Sequence, residues 1–295
     1  MKNQQTSEEL FVRPEFECKK LDLIKDLDIK TRLSLGQRIW KINAVRKLLI
    51  LLGFILIWEA YTRLGDVEPL LFPNFTSTIL AFIEAVQSGL LLEKIWISFY
   101  VLLIGYVLGI FIAAVLLVWA VSSRIGRDFL STMTAMFQPL PAITLLPLAM
   151  LWFGLGIPSL VFVTVHSVLW AVSLSTLNGF LGVSSSLRMV GKNYGLGHFD
   201  YIVKILVPAS LGSILVGLKV GWAFAWRTLI GAELVFGAAS GRGGLGWMIY
   251  EEGSNLETPL VFAGLFTVIL IGLFVENLIF RKVEINTLEK WGMQN

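Results

Sequence analysis

Six long apolar runs set the limits on what this chain can fold into. They lie at roughly 47–64, 95–120, 129–153, 157–180, 205–236 and 258–280. Each approaches or exceeds the ~20 residues an α-helix needs to cross the hydrocarbon core of a bilayer. That core holds no water to satisfy a stray backbone N–H or C=O, so a spanning segment must bond its own backbone, as a helix does. Composition agrees. Of 295 residues, 56% are hydrophobic and 15% charged, where soluble domains carry about a quarter charged. The expected fold is an all-α membrane protein with six transmembrane helices. A head (1–46) precedes the membrane domain (47–280), and a tail (281–295) follows it.

Lys and Arg orient such a chain, because they accumulate in cytoplasmic loops. Residues 1–47 hold 11 of them, the loop with Arg124 and Arg127 holds 2, and the loop with Arg188, Lys192 and Lys204 holds 3. The tail adds Arg281, Lys282 and Lys290. That side collects 19, against 3 (Arg63, Lys94 and Arg242) on the other. Both termini and the Ser184–Lys204 segment are therefore expected in the cytoplasm. The net charge of +3 gives no reason to expect a nucleic-acid partner, and the single Cys18 excludes an internal disulfide or a cysteine metal cluster. The first apolar run starts behind a long charged head, so no cleavable signal peptide is expected.

The connections are less regular. In the head, Leu21, Ile24, Leu27 and Ile29 fit one or two amphipathic turns, and the region reads either as a surface-lying helix or as disorder. Residues 76–88 read as a short helix along the outer surface, capped by Thr76 or Ser77. The Gly-rich stretch in 237–258 reads as a flexible connection or as a tight turn packed near the mouth of a pathway.

Catalytic signatures are missing. The two histidines, His166 and His198, are 32 residues apart and form no H-E-x-x-H pair. No G-x-S-x-G occurs. Gly191-Lys192 is followed by Asn193 and has no Gly five residues before Gly191, so it is not a phosphate loop. No metal site is expected, and the energy for any active transport must come from an ion gradient or another subunit.

Charges inside spans are expensive and point to function. Glu59 and Glu276 sit near span ends, where a structural role is expected. The fifth run holds Lys219, Arg227 and Glu233 beside Trp222 and Trp226. Arg227 and Glu233 are six apart and do not share a helix face. They fit either buried ion pairs with another span or the lining or gate of a pathway. In the third run Gln138, Pro139, Pro141 and Pro147 mark a kink, for packing or for a pathway. Gln138, Pro141, Trp226, Arg227 and Glu233 are the pathway or gate candidates. The pairs Gly105/Gly109 and Gly217/Gly221 would allow close helix contact.

Between the fourth and fifth runs lies the segment Ser184–Pro208. Leu187, Val190 and Tyr194, three and four apart, share one face of a short helix, with Arg188 and Lys192 on the other side. Such a helix would serve to dock a partner outside the membrane. Here the sequence resembles the permease subunits of binding-protein-dependent ABC importers, whose cytoplasmic pattern is E-A-A-x3-G-x9-I-x-L-P. Gly195, Ile205 and Pro208 stand at matching spacing, with Val207 for Leu and Met189-Val190-Gly191 for the opening EAA. Pro139 to Pro158, Gly217 to Ile249 and Leu288 to Met293 resemble the nitrate/sulfonate/taurine group of these permeases.

The resemblance implies a non-catalytic subunit of a bacterial inner-membrane importer, working as a homodimer with two ATP-binding cassette ATPases and an external solute-binding protein. ATP and Mg would be bound by the ATPases, with no cofactor in this chain. The solute would be a small anion such as a sulfonate, taurine, nitrate or bicarbonate. Residues 184–204 would form the coupling helix. Leu187, Val190 and Tyr194 would contact the ATPase, or else pack on the chain's own spans. Arg188 and Lys192 would meet acids on the ATPase, or else solvent or lipid. Gly191 belongs to the same segment. Gly195 would permit a tight turn or close approach, or simply end the helix, and Pro208 would shape the entry to the fifth span. Arg227 would line the pathway or pair with Glu233 or Glu276. The competing reading is an ion-coupled secondary carrier. Such carriers usually repeat one half in the other, and no convincing repeat relates 46–153 to 157–280.

Overall fold

The computed structural model describes residues 43–65, 67–240 and 243–289. Leu21, Ile24, Leu27 and Ile29 of the head, Cys18, Arg242 and the stretch 290–293 of the C-terminal resemblance lie outside the described residues. Contacts divide the chain into two units, 1–54 and 55–295. Every site below lies in the second.

Among the described residues the structure is all-helical. The α-helices are α1 (Asn43–Leu64), α2 (Phe75–Gln87), α3 (Leu90–Ser122), α4 (Arg124–Phe137), α5 (Leu146–Phe153), α6 (Ile157–Leu181), α7 (Ser185–Asn193), α8 (His198–Tyr201), α9 (Val207–Ala209), α10 (Leu211–Ser240), α11 (Leu245–Ser254), α12 (Thr258–Phe274) and α13 (Arg281–Glu284). Wider π-turns at Ile202–Leu206, Val275–Phe280 and Ile285–Glu289 carry the chain through α8–α9 and past α12. Four helices are long and apolar enough to cross a membrane: α3, α6, α10 up to Phe236, and α12 with its continuation to Thr287. A fifth is added if α4 and the helical stretch Ala142–Phe153 form one broken span. Helix α1 is long enough but carries Lys47, Glu59 and Arg63 in its last 18 residues.

The third apolar run is broken rather than gently kinked. Its two halves meet at 93°. Pro139 and Pro141 lack the N–H that a continuing helix would use, and Pro141 is extended (ψ 116°). A short 3-10 turn, Ala142–Leu145, then leads into α5.

Helix α6 is the centre of the bundle. It packs along both α3 and α10, and its buried side includes the small polar residues Ser159, Thr164, Ser167, Ser173 and Thr176. The two glycine pairs face this helix. A Cβ on Gly105 or Gly109 would stand 2.6 or 2.7 Å from Thr164 or Val168, and one on Gly217 would stand 2.9 Å from Ser175. The spacing thus creates close contacts within one chain. Helix α3 turns Leu102, Gly105, Gly109 and Ala113 inward, while Leu103, Val107, Phe111 and Val115 form an exposed apolar stripe at four-residue spacing. Such a face suits lipid or another membrane helix.

Helix α2 forms as expected, but its cap is Asn74. The Asn74 Oδ1 accepts from the Ser77 N–H at 2.7 Å. Thr76 is engaged elsewhere: its hydroxyl donates to Glu59 Oε1 at 2.7 Å, and Glu59 also pairs with Arg63 at 2.6 Å. The described residues of the connection 237–258 are largely helical. Helix α11 occupies Leu245–Ser254, with Leu245 and Met248 fully buried.

Candidate functional site

The segment between α6 and α10 begins with a side-chain cap. Ser184 Oγ accepts from the Leu187 N–H at 3.4 Å and opens α7. The helix ends at Gly195, whose φ is +61°. Gly195 N–H donates to Lys192 O at 3.0 Å and Leu196 N–H to Gly191 O at 3.2 Å. These two bonds make a Schellman ending, in which the left-handed position favours glycine. Among the described residues, its two chain neighbours aside, no atom lies within 4 Å of a Cβ placed on Gly195. Its backbone, rather than crowding inside the chain, calls for glycine. Gly191 differs. It is buried, and a Cβ there would stand 2.7 Å from the Tyr201 ring.

On the charged side of α7, Arg188 has found partners within the chain. Arg188 Nε donates to Val183 O at 3.0 Å, and Nη2 donates to Phe180 O at 2.5 Å and Leu181 O at 3.3 Å. The guanidinium therefore caps the carbonyl end of α6, where a cation is favoured. An acid on a partner, or solvent or lipid, was the sequence-based expectation for this residue. Lys192 remains exposed. The apolar side is open: Leu187 and Val190 are each 43% exposed and Tyr194 is 80% exposed. Pro208 lies in the one-turn helix α9, between the π-turn Ile202–Leu206 and Ser210 (φ −112°), where the chain bends into α10.

A second feature opens at the break in the third apolar run. A cleft of about 310 Å³ is lined by Gln138 and Pro141 from the break, His166 and Ser167 from α6, and Arg227 and Thr228 from α10. Phe137, Trp170 and Phe224 add aromatic walls. Ser167 and Thr228 hydroxyls join the two helices at 2.9 Å. Arg227 is exposed; its Nε donates to Ala223 O at 3.0 Å and its guanidinium carbon stands 5.1 Å from the centre of the Phe224 ring. No acidic residue lines the cleft, and among the described residues no carboxylate forms an ion pair with Arg227. Neither Glu233 nor Glu276 is its partner. A positive cleft with hydroxyl, amide and imidazole groups can hold an anion.

Of the five pathway candidates, Gln138, Pro141 and Arg227 meet in this cleft. Trp226 and Glu233 do not line it. Trp226 is 5% exposed, and its Nε1–H donates to Val268 O at 3.2 Å. Glu233 is 1% exposed. Its carboxylate accepts from Ser98 Oγ at 2.8 Å and from the Gly246 N–H at 2.9 Å. Ser98 Oγ in turn accepts from the Leu245 N–H at 2.9 Å. Together Ser98 and Glu233 cap the first turn of α11 and tie it to α3 and α10. The remaining intramembrane charge, Lys219, pairs with Glu276 at 3.3 Å and Glu284 at 3.9 Å.

His166, Ser167 and Thr228 escaped the sequence reading. By sequence His166 fits no metal-ligand pattern. Its two ring nitrogens are buried and have no hydrogen-bond partner among the described residues. The available signal was a pair of adjacent polar residues, His166-Ser167, in the middle of an apolar run.

Residues 105–281 match the family described as binding-protein-dependent transport system inner membrane component. The chain is 29% identical over 247 residues to a putative aliphatic sulfonates transport permease protein of Bacillus subtilis (strain 168), covering 84% of this chain and 87% of that protein. It is 26% identical over 247 residues to the taurine transport system permease protein of Escherichia coli (strain K12), covering 80% and 88%. A nitrate import permease protein of Leptolyngbya laminosa is 28% identical over 135 residues, covering 45% of this chain and 48% of that protein.

Proposed function

The chain belongs to the binding-protein-dependent ABC importer permeases, in the nitrate, sulfonate and taurine group, and from that premise we propose how its residues divide the work. The functional unit is two copies of this chain, two ATPase subunits that bind ATP and Mg, and an external solute-binding protein. Six spans cross the bacterial inner membrane: α1, α3, the broken pair around Pro139–Pro141, α6, α10 and α12. Both termini are cytoplasmic, as the distribution of Lys and Arg requires.

Helix α7 is the coupling helix. Leu187, Val190 and Tyr194 enter a cleft of the ATPase. Gly191, Arg188, Gly195 and Pro208 fix the helix to the spans, so that force on the exposed face reaches α6 and α10. The cleft at Gln138, Pro141 and Arg227 belongs to the translocation pathway. Its solute is a small anion such as a sulfonate, taurine, nitrate or bicarbonate. The relatives' names and the acid-free, arginine-bearing cleft support that class. Glu233 and Trp226 act by holding α11 and α12 beside the pathway.

One observation carries the coupling assignment. Helix α7 is bound to its own chain through Arg188 and Gly191, yet it leaves Leu187, Val190 and Tyr194 uncovered. A gently purified complex tests the assignment. An ATP-binding subunit should accompany the tagged chain, and its hydrolysis should rise with a binding protein and its solute. A chain that purifies alone and transports in vesicles under an ion gradient without ATP would establish the secondary-carrier reading instead.

A further inference from the structure

A second cleft, of about 340 Å³, lies behind α7 on the side away from Leu187 and Tyr194. Arg127, Arg188, Lys192 and His198 line it, and no acidic residue does. Arg127 and Lys192 are exposed, and an anion held between them and Arg188 would offset their mutual repulsion. Arg188 cannot swing away without giving up the carbonyls of Phe180 and Val183. Lys204, the next cation along the segment, is already paired with Asp200 at 2.8 Å. Among the described residues no carboxylate forms an ion pair with Arg127, Arg188 or Lys192.

The rest of its wall is apolar: Val121 near the end of α3, Leu177 and Phe180 near the end of α6, and Leu206. The last residues of α3 and α6 are Ser122 and Leu181. Two candidate spans end beside this cleft. An anion with an attached hydrocarbon chain would meet both walls at once. A free inorganic anion would use only the cations.

We propose that this cleft binds the headgroup of an anionic phospholipid, with Arg127, Arg188, Lys192 and the His198 imidazole around the phosphodiester and an acyl chain along the ends of α3 and α6. The lipid then braces α7 against the spans from behind, while its apolar face stays free. Each basic side chain near an anionic headgroup adds about 1 kcal/mol to the attraction.

The test is lipid retention by the assembled transporter in native mass spectrometry, after exchange through nanodiscs of mixed phosphatidylcholine and phosphatidylglycerol. Phosphatidylglycerol should stay bound in preference to phosphatidylcholine. Arg127→Gln and His198→Gln should each lower that retention, the first by about fivefold, and Arg127→Lys should restore most of it. Equal retention of the two lipids would overturn the proposal, and so would unchanged phosphatidylglycerol binding in the folded variants. Displacement by millimolar inorganic phosphate would assign the cleft to a free anion instead. The lipid preference and the phosphate competition are measured on the unaltered protein, so they decide the matter even if a variant does not assemble.

Discussion

Arg227 and Glu233 stand six residues apart on α10, and the chain treats them in opposite ways. Glu233 is buried, and three groups from two other helices converge on it directly or through Ser98. Arg227 is exposed, bonds among the described residues only to its own helix and an aromatic ring, and faces a cleft that no acid lines. A group whose partners all lie within the chain stabilises the fold. A group whose partners lie outside it is available to something else. Helix α7 repeats the contrast on a smaller scale, with Arg188 satisfied internally and Tyr194 left open.

The largest expected effect tests the internal half of that contrast. Glu233→Ala leaves the Gly246 N–H and the Ser98 hydroxyl buried without their acceptor. An unsatisfied buried polar group costs about 1–3 kcal/mol, so the variant should lose on the order of 3 kcal/mol of stability, read as a lower melting temperature in detergent. Glu233→Gln keeps an acceptor and should lose less. A Glu233→Ala protein with native melting but no transport would move Glu233 from scaffold to pathway.

Next in size is Arg227→Ala. A charge-assisted hydrogen bond is worth about 1.5–3 kcal/mol, so transport should fall by roughly 10-fold or more while melting stays close to that of the parent. Arg227→Lys should recover part of the rate, since it keeps the charge but loses the planar fork. Equal loss of folded protein and of transport would erase the distinction between the two residues.

Much of this was legible in the sequence. Spans announce themselves because each must be apolar along its own length, and five of the six runs reappear as long apolar helices or as a broken pair. The glycine pairs were legible for the same reason, since close packing needs small residues at four-residue spacing. The 93° turn was not. Pro139 and Pro141 reveal that a helix stops, but how its halves are set depends on what each packs against. That turn is what brings Gln138 toward Arg227 and His166, so the cleft could not be assembled from residue spacing. The cap of α2 was misread for a related reason: Thr76 is taken by Glu59, a partner 17 residues away. Helix α11 was hidden because its first turn is capped by side chains from α3 and α10 rather than by a local residue.

A smaller effect is expected at the open face of α7. Burying an exposed aromatic or aliphatic side chain contributes about 1.5–3 kcal/mol. Tyr194→Ala should therefore weaken retention of the ATPase by about 10-fold and leave the permease itself as stable as before. Loss of permease stability instead would mean that Tyr194 serves the fold, as Arg188 does.

The smallest and most discriminating change is at Gly195. Its left-handed backbone strains any residue with a Cβ by about 1 kcal/mol, yet the space around it is open within the chain. Asn accepts that conformation better than Ala does. If Gly195 serves only to end α7, Gly195→Asn should retain the ATPase nearly as well as the parent, and Gly195→Ala slightly less well. If the glycine instead lets the ATPase surface approach closely, the larger Asn should be the more damaging of the two. The order of the two variants in ATPase retention thus separates a backbone requirement met inside the chain from a steric one imposed by a partner.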